Sequence, residues 1–277
     1  MTASSPATGA ADRVRAPFGV RTAPVTARDV HGAYTVLACA DPTGPRPCAG
    51  QFYMLAAAAR WGAGEDERPY LPRALSVLRA PEGGELRFLI EDVGPGTERL
   101  CELGPGDALS LVGPLGVGFR EPRDGRRAVL AGGGVGIAPL AILSDQLRAH
   151  TTVLLGFRDG AHAAGAELFP GARVATDDGA AGHRGPVTDL LAQELDADPL
   201  AEVYACGPPP MLEAVRALCE LRGVPAQLAL ESGMACGFGA CFGCVVPTRD
   251  GYVRLCVDGP VLDAGRLQTA LVPGAGH

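Results

Sequence analysis

Four cysteines near the carboxyl end, Cys236, Cys241, Cys244 and Cys256, constrain this chain more than any other feature. Their spacing is Cys236-x4-Cys241-x2-Cys244-x11-Cys256, opening in the run Met234-Ala-Cys-Gly-Phe-Gly-Ala-Cys-Phe-Gly-Cys-Val. The segment from Ala226 onward is short and rich in glycine and cysteine, too small to bury an apolar core of its own, so it needs a staple. The chain holds 9 cysteines, an odd number, so they cannot all pair internally. Met1–Ala11 has neither a basic start nor an apolar run, so no secretory signal is expected and the compartment is expected to be the reducing cytoplasm. There, clustered thiols bind metal or carry redox chemistry more often than they form disulfides. Iron–sulfur chemistry, zinc and plain free thiols are the readings to weigh. Gly237, Gly239 and Gly243 suit a loop that must bend sharply and bring its N–H groups close to sulfur.

The first three cysteines resemble the C-x4-C-x2-C run of plant-type two-iron ferredoxins. Zinc sites more often carry two C-x2-C knuckles, and here only Cys241 and Cys244 form one. The gap to Cys256 is much shorter than in those ferredoxins, which fits a small domain appended to something larger.

The rest of the chain changes texture once. From Phe18 to Arg120, short apolar runs (Tyr34–Leu37, Gln51–Leu55, Ala74–Leu78, Leu86–Ile90 and Ala108–Val112) alternate with Gly and Pro, predicting an antiparallel barrel. From Arg127 the pattern becomes strand, glycine turn, helix: strands at Ala128–Ala131, Thr152–Phe157, Arg173–Thr176 and Glu202–Cys206, helices over Ala138–His150, Val187–Leu195 and Pro210–Arg222. Such alternation predicts a parallel nucleotide-binding sheet. The expected organisation is multidomain α+β: a disordered tail over 1–17, a β-barrel over 18–122, an α/β domain over 123–224 and a cluster domain over 225–277. With 24 Lys+Arg against 31 Asp+Glu, net charge −7, and no basic cluster, neither nucleic acid nor a membrane surface is an expected partner.

Gly132-Gly-Gly-Val-Gly-Ile-Ala-Pro139 follows a strand and opens a helix, the setting of a phosphate-binding turn, yet from Gly134 it reads G-x-G-x-x-P and departs from the dinucleotide fingerprint. Together with Cys206-Gly-Pro-Pro-Pro-Met211 it resembles the ferredoxin–NADP reductase superfamily. Arg73-Ala-Leu-Ser76 lies where that superfamily has its R-x-x-S flavin motif, with Ala74 replacing the usual proline. Gly94-Pro-Gly-Thr97, Gly113-Pro-Leu-Gly-Val-Gly-Phe119, Ala175–Gly179 and Gly185–Leu190, with the cysteine block, resemble one branch: the electron-transfer subunit of NAD-dependent (class 1B) dihydroorotate dehydrogenase. The likeness runs from about Gly50 to Cys256.

The resemblance implies FAD, one 2Fe–2S cluster and NAD. It assigns FAD to Arg73, Ala74, Leu75, Ser76, Gly96 and Thr97, with Leu89, Ile90 and Glu91 along the flavin. Gly134, Gly136 and Cys206 would border the nicotinamide, though Cys206 suits a small core position equally well. Cys236, Cys241, Cys244 and Cys256 would ligate iron, with Phe238 and Phe242 shielding the cluster or meeting a partner. The implied partner is an FMN-containing catalytic subunit that oxidises dihydroorotate in pyrimidine biosynthesis, in a heterotetramer. No base or nucleophile for dihydroorotate is visible in this chain. Two rivals share parts of the pattern: a reductase of the same superfamily serving an oxygenase or hydrogenase, and a redox or metal sensor that has lost flavin. Arg158 and Asp159 leave NAD and NADP both open.

Overall fold

The computed structural model describes residues 19–62, 69–123, 125–147 and 151–272. The expected tail over 1–17 lies outside them.

Six antiparallel strands close a barrel in the order β1-β2-β5-β4-β3-β6: β1 (Arg21–His31), β2 (Tyr34–Ala40), β3 (Phe52–Ala57), β4 (Arg73–Arg79), β5 (Glu85–Glu91) and β6 (Ala108–Leu115). Closure leaves no free edge, and the inward residues, among them Leu37, Tyr53, Leu55, Phe88, Ile90 and Leu111, form its core. Strand β1 was not legible as a run, because Arg21-Thr-Ala-Pro-Val-Thr-Ala buries only the small residues Ala23 and Val25. Helix α1 (Pro95–Cys101) bridges β5 and β6, with Pro95 in its first turn where no N–H is missed.

The second layer system is a seven-stranded sheet, ordered β10-β9-β8-β7-β11-β12-β15. Its members are β7 (Arg127–Gly133), β8 (Thr151–Phe157), β9 (Arg173–Thr176), β10 (His183–Arg184), β11 (Ala201–Cys206), β12 (Ala226–Ala229) and β15 (Val261–Asp263); all neighbours run parallel except β12 and β15. Helices α2 (Ala141–Leu147), α3 (Gly160–Ala163), α4 (Val187–Ala197) and α5 (Pro209–Arg222) connect them. The helix expected over Ala138–His150 begins instead as a 3-10 turn, Gly134–Leu140, because Pro139 cannot donate and glycines open the run; residues 148–150 lie outside the described set.

The carboxyl segment departs from the expected boundary. Strands β12 and β15 both belong to the large sheet, with Ala229 directly opposite Val261. The sheet therefore does not end at residue 224: pairing satisfies the backbone of both strands and buries Leu228 and Leu262. Everything between them is an excursion carrying the cysteines, the hairpin β13 (Val245–Thr248) and β14 (Gly251–Arg254), and the single turn α6 (Leu255–Asp258). It packs Met234, Cys244, Val246, Leu255 and Cys256 against Phe52, Met54 and Leu115 of the barrel. Barrel and sheet also meet through Arg79 and Asp145, 2.7 Å apart, and through Phe119 edge-on to Tyr204. Among the described residues no helix is long and apolar enough to cross a membrane.

Candidate cofactor cavity and thiol loop

Where barrel, sheet and excursion converge lies a cavity of about 630 Å³. Its wall takes Arg73–Ser76 from β4, Leu89 and Glu91 from β5, Thr97 from α1, Val135 and Gly136 from the glycine turn, and Leu230–Ala235 with Gly243 from the excursion. Strand alternation sorts the residues of β5. Leu89 and Glu91 share the cavity face, whereas the Ile90 side chain points the other way into the barrel core and adds nothing to the cavity wall.

Arg73 is set by close approach. A Cβ on Gly96 would stand 2.2 Å from Arg73 Nε, so the guanidinium occupies space that the glycine leaves open. Arg73 Nη1 donates to the Leu71 carbonyl at 2.7 Å, and the guanidinium sits 5.8 Å over the Trp61 ring. Among the described residues no carboxylate pairs with it. Thr97 Oγ1 accepts from Val93 N at 2.9 Å and donates to the Gly94 carbonyl at 3.0 Å, so its hydroxyl proton is spent closing the turn.

Gly134 takes φ 55° and Gly136 lies against β11, where a Cβ would come within 2.6 Å of Gly207 Cα. Gly136 lines the cavity; Gly134 and Cys206 are not on its wall. Cys206 is buried beside Ala229 and Val261, and burial together with the nearby Glu231 carboxylate drives its thiol well above the ordinary range. That is the core alternative for this residue. Glu91 accepts from Arg158 Nη2 at 3.1 Å and lies 3.2 Å from His162 Nε2; Asp159 Oδ1 receives the His162 amide at 3.0 Å and sits 2.7 Å from its Nδ1. His162 bonding first of all holds the Asp159 carboxyl below its usual value. This ion-paired corner gave no pattern in the sequence, because its members come from β5, the end of β8 and α3.

The four thiols gather as two pairs. Cys244 Sγ and Cys256 Sγ stand 3.2 Å apart, and the Cys256 amide donates to Cys244 Sγ at 3.4 Å. The nearby amides of Cys241, Phe238 and Ala240, with the Cys241 thiol, outweigh burial at Cys236 and bring its thiol down to about 6. Burial, then the neighbouring Cys244 and Cys236 thiols, push Cys256 up to about 12. The Gly243 amide donates to Cys241 Sγ at 3.4 Å. Gly237 has φ 79°, and a Cβ there would meet Met54 Cγ at 2.4 Å, which seats the loop directly on the barrel. Among the described residues no three His, Cys, Asp or Glu side chains converge as a single ion would require. Two pairs of thiols with amides aimed at sulfur suit two irons bridged by sulfide better than one tetrahedral zinc. Cys241 is exposed and Cys244 and Cys256 are buried. Phe238 and Phe242 are 53% and 62% exposed, so neither is folded over the thiols, and Arg254 holds Phe242 from 5.2 Å.

The cavity fits a flavin nucleotide on its own evidence: an arginine without a carboxylate partner among the described residues, a glycine cradle beside it, and a buried Ser232 Oγ with no hydrogen-bond partner. Sequence reasoning missed Glu231, Ser232 and Met234 as wall residues, since nothing in their spacing marks them.

Comparison with known proteins agrees. The family described as the iron–sulfur cluster binding domain of dihydroorotate dehydrogenase B matches residues 231–268. The chain is 35% identical over 223 residues to the dihydroorotate dehydrogenase B (NAD(+)) electron transfer subunit of Clostridium perfringens, covering 78% of this chain and 85% of that one. The corresponding subunit of Geobacillus thermodenitrificans is 41% identical over 214 residues, covering 72% and 80%. Among solved structures, an NADH-dependent reduced ferredoxin–NADP oxidoreductase matches with TM-score 0.75 and 26% identity over 91% of this chain and 92% of that one. A ferredoxin–NADP+ reductase from Neisseria gonorrhoeae, with FAD and NADP bound, shares the fold at TM-score 0.59 and 18% identity, over 74% of this chain and 92% of that one.

Proposed function

Because the chain belongs to the family of electron-transfer subunits of dihydroorotate dehydrogenase B (NAD(+)), we propose that its residues bring FAD and a 2Fe–2S cluster side by side for exchange with NAD. It is an oxidoreductase subunit, and its fold is that of the flavin reductases it resembles. When bound, FAD handles electrons in pairs or singly and the cluster carries one at a time, which lets electrons taken from dihydroorotate at a partner's FMN reach NAD+.

This chain supplies binding and position. Cys236, Cys241, Cys244 and Cys256 hold the irons as thiolates, with the Gly243 amide bonded to sulfur and those of Phe238 and Ala240 close to Cys236. Arg73 neutralises the flavin pyrophosphate with a permanent charge, and Gly96 keeps the space it needs. Ser76 and Ser232 offer hydroxyls to the flavin, while Leu75 and Leu89 give it an apolar wall. Gly136 lets the glycine turn pack on the end of β11 and borders the nicotinamide. The catalytic partner carries the dihydroorotate chemistry, two copies of each chain forming the assembly.

One observation carries the reading. Met234, Ala235 and Gly243 of the cysteine loop line the same cavity as Arg73–Ser76, so nothing separates the flavin wall from the thiol loop. The test is anaerobic copurification with an FMN-dependent dihydroorotate-oxidising partner, followed by an absorbance spectrum and assays of iron, sulfide and flavin. Equal iron and sulfide at two per chain with one FAD is expected; a colourless chain would refute it.

A further inference from the structure

We propose that the protein binds a small phosphorylated anion in a second cavity, at the end of the large sheet away from the cofactors; this does not depend on the cofactor reading above. The cavity, of about 500 Å³, opens where β12 begins and β15 ends, against the last turn of α5. Its volume lies in the range of small-molecule sites. Four arginines line it, Arg123, Arg126, Arg216 and Arg266, against two carboxylates, Glu220 and Asp263. In a chain of net charge −7 that local excess of positive charge stands apart. No run of sequence shows it, because its members come from the segment before β7, from α5 and from the turn after β15.

Hydrogen bonding decides which of these charges is free to meet a ligand. Arg216 is already committed: it bonds Glu213 and Glu220, each at 2.7 Å. Glu220 also accepts from Arg249 Nη2 at 3.1 Å, and Asp263 is held by Arg120. Neither wall carboxylate is therefore left to neutralise the remaining arginines. Arg126 Nη1 donates to the Ala201 carbonyl at 3.0 Å and to no carboxylate among the described residues. Arg266 Nε lies 3.7 Å from Asp250 Oδ2, beyond hydrogen-bond reach. The Arg123 side chain makes no ion pair among the described residues, while its backbone amide is fixed at 2.9 Å by the buried Glu202 carboxylate. Three arginines thus share one cavity without a hydrogen-bonded carboxylate.

The chemistry of the wall names the ligand class. Arginine forks match phosphate oxygens with paired N–H bonds. Three of them exceed what one carboxylate uses, so the fitting group is a chain of phosphates. The floor, formed by Val224, Pro225, Ala226 and Ala264, is apolar and gives a planar base a surface to lie on. Helix α5 does not oppose an anion with its negative end. The Gly223 amide donates to the Glu220 carbonyl at 3.2 Å and the Val224 amide to the Cys219 carbonyl at 2.9 Å, which closes the last turn. The cofactor cavity takes its wall from the far ends of the same strands, so a ligand here competes with neither flavin nor nicotinamide.

The test is isothermal titration calorimetry of the full-length protein as purified, at physiological ionic strength and with NAD+ saturating so that the nicotinamide site is filled. The probes are inorganic triphosphate, uridine triphosphate and uridine. Both phosphate compounds should bind at one site per chain, and uridine should give no heat. Tighter binding of uridine triphosphate than of triphosphate supports a nucleotide as the ligand; equal binding supports an inorganic chain at the same site. Arg123→Gln and Arg266→Gln should each weaken binding at least about tenfold, the scale of one charged hydrogen bond. Arg123→Lys keeps the charge without the fork, should fall between, and stands in if the glutamine variant does not fold. Arg222→Gln, on the same helix but held by Asp196 and off the cavity wall, should bind as the wild type does. No heat from either phosphate compound, full affinity in both cavity variants, or equal weakening by Arg222→Gln would overturn the site.

Discussion

Arg73 presents a fixed positive charge to the cavity, and the only hydrogen bond it makes among the described residues is to the Leu71 carbonyl. Losing it removes a charged hydrogen bond from the bound nucleotide, so Arg73→Ala should weaken FAD binding by about 1.5–3 kcal/mol in a titration of apoprotein. Cys241 belongs to the outer thiol pair and is exposed. A serine oxygen is a poor substitute for a soft thiolate on iron, so Cys241→Ser should reduce iron and sulfide to background while FAD stays bound, as read by metal analysis and flavin fluorescence. The cysteines were legible in the sequence because iron chemistry demands one residue type at fixed spacing. The run Leu89-Ile90-Glu91 does not say which side chains of β5 face the cavity until the barrel closes. Glu231 and His162 were invisible for a deeper reason: burial and neighbours from distant strands, not spacing, give them their character.

At the scale of elements, helix α5 does more than cover the sheet. Glu213 on it bonds Arg216 at 2.7 Å and accepts from Thr269 Oγ1 at 3.0 Å and from the Ala270 amide, tying the chain's final described stretch to the helix. The Arg216 bond, opposed by burial and aided by the Ala270 amide, brings the Glu213 carboxyl down to about 2. A depressed carboxyl stabilises the fold above its unfolded value of 4.5 and loses that contribution as pH falls from there toward about 2. Glu213→Gln should therefore cost about 1.5–3 kcal/mol at neutral pH in denaturant melts and little at acid pH, where the wild type has lost the same interaction. Most elements could be read beforehand, since strand runs and helix periodicity are local. The 3-10 opening at Gly134 and the weakly apolar β1 could not, because a proline inside a helical pattern and a barrel's need for closure override local preference.

For the molecule as a whole, the expected boundary near residue 224 failed on the sheet's demand for partners. Strands β12 and β15 finish one edge of the nucleotide-binding sheet, and the Leu230 amide donates to the Pro260 carbonyl at 2.9 Å just beyond them. The thiol loop thus hangs from a closed neck instead of forming a separate unit. Replacing the stretch between Ala229 and Val261 with an Asn-Gly turn, which suits two antiparallel neighbours, should give a protein that still unfolds cooperatively in a circular-dichroism melt and holds no iron. Its FAD should bind more weakly, since Leu230–Ala235 would be gone from the cavity.

A neck two strands wide makes the iron-bearing stretch a cartridge. It can be slotted into, or lifted out of, any sheet that ends in such a pair of strands, so a plain flavin reductase could acquire a one-electron outlet in a single insertion without rebuilding the scaffold that reads the nucleotide.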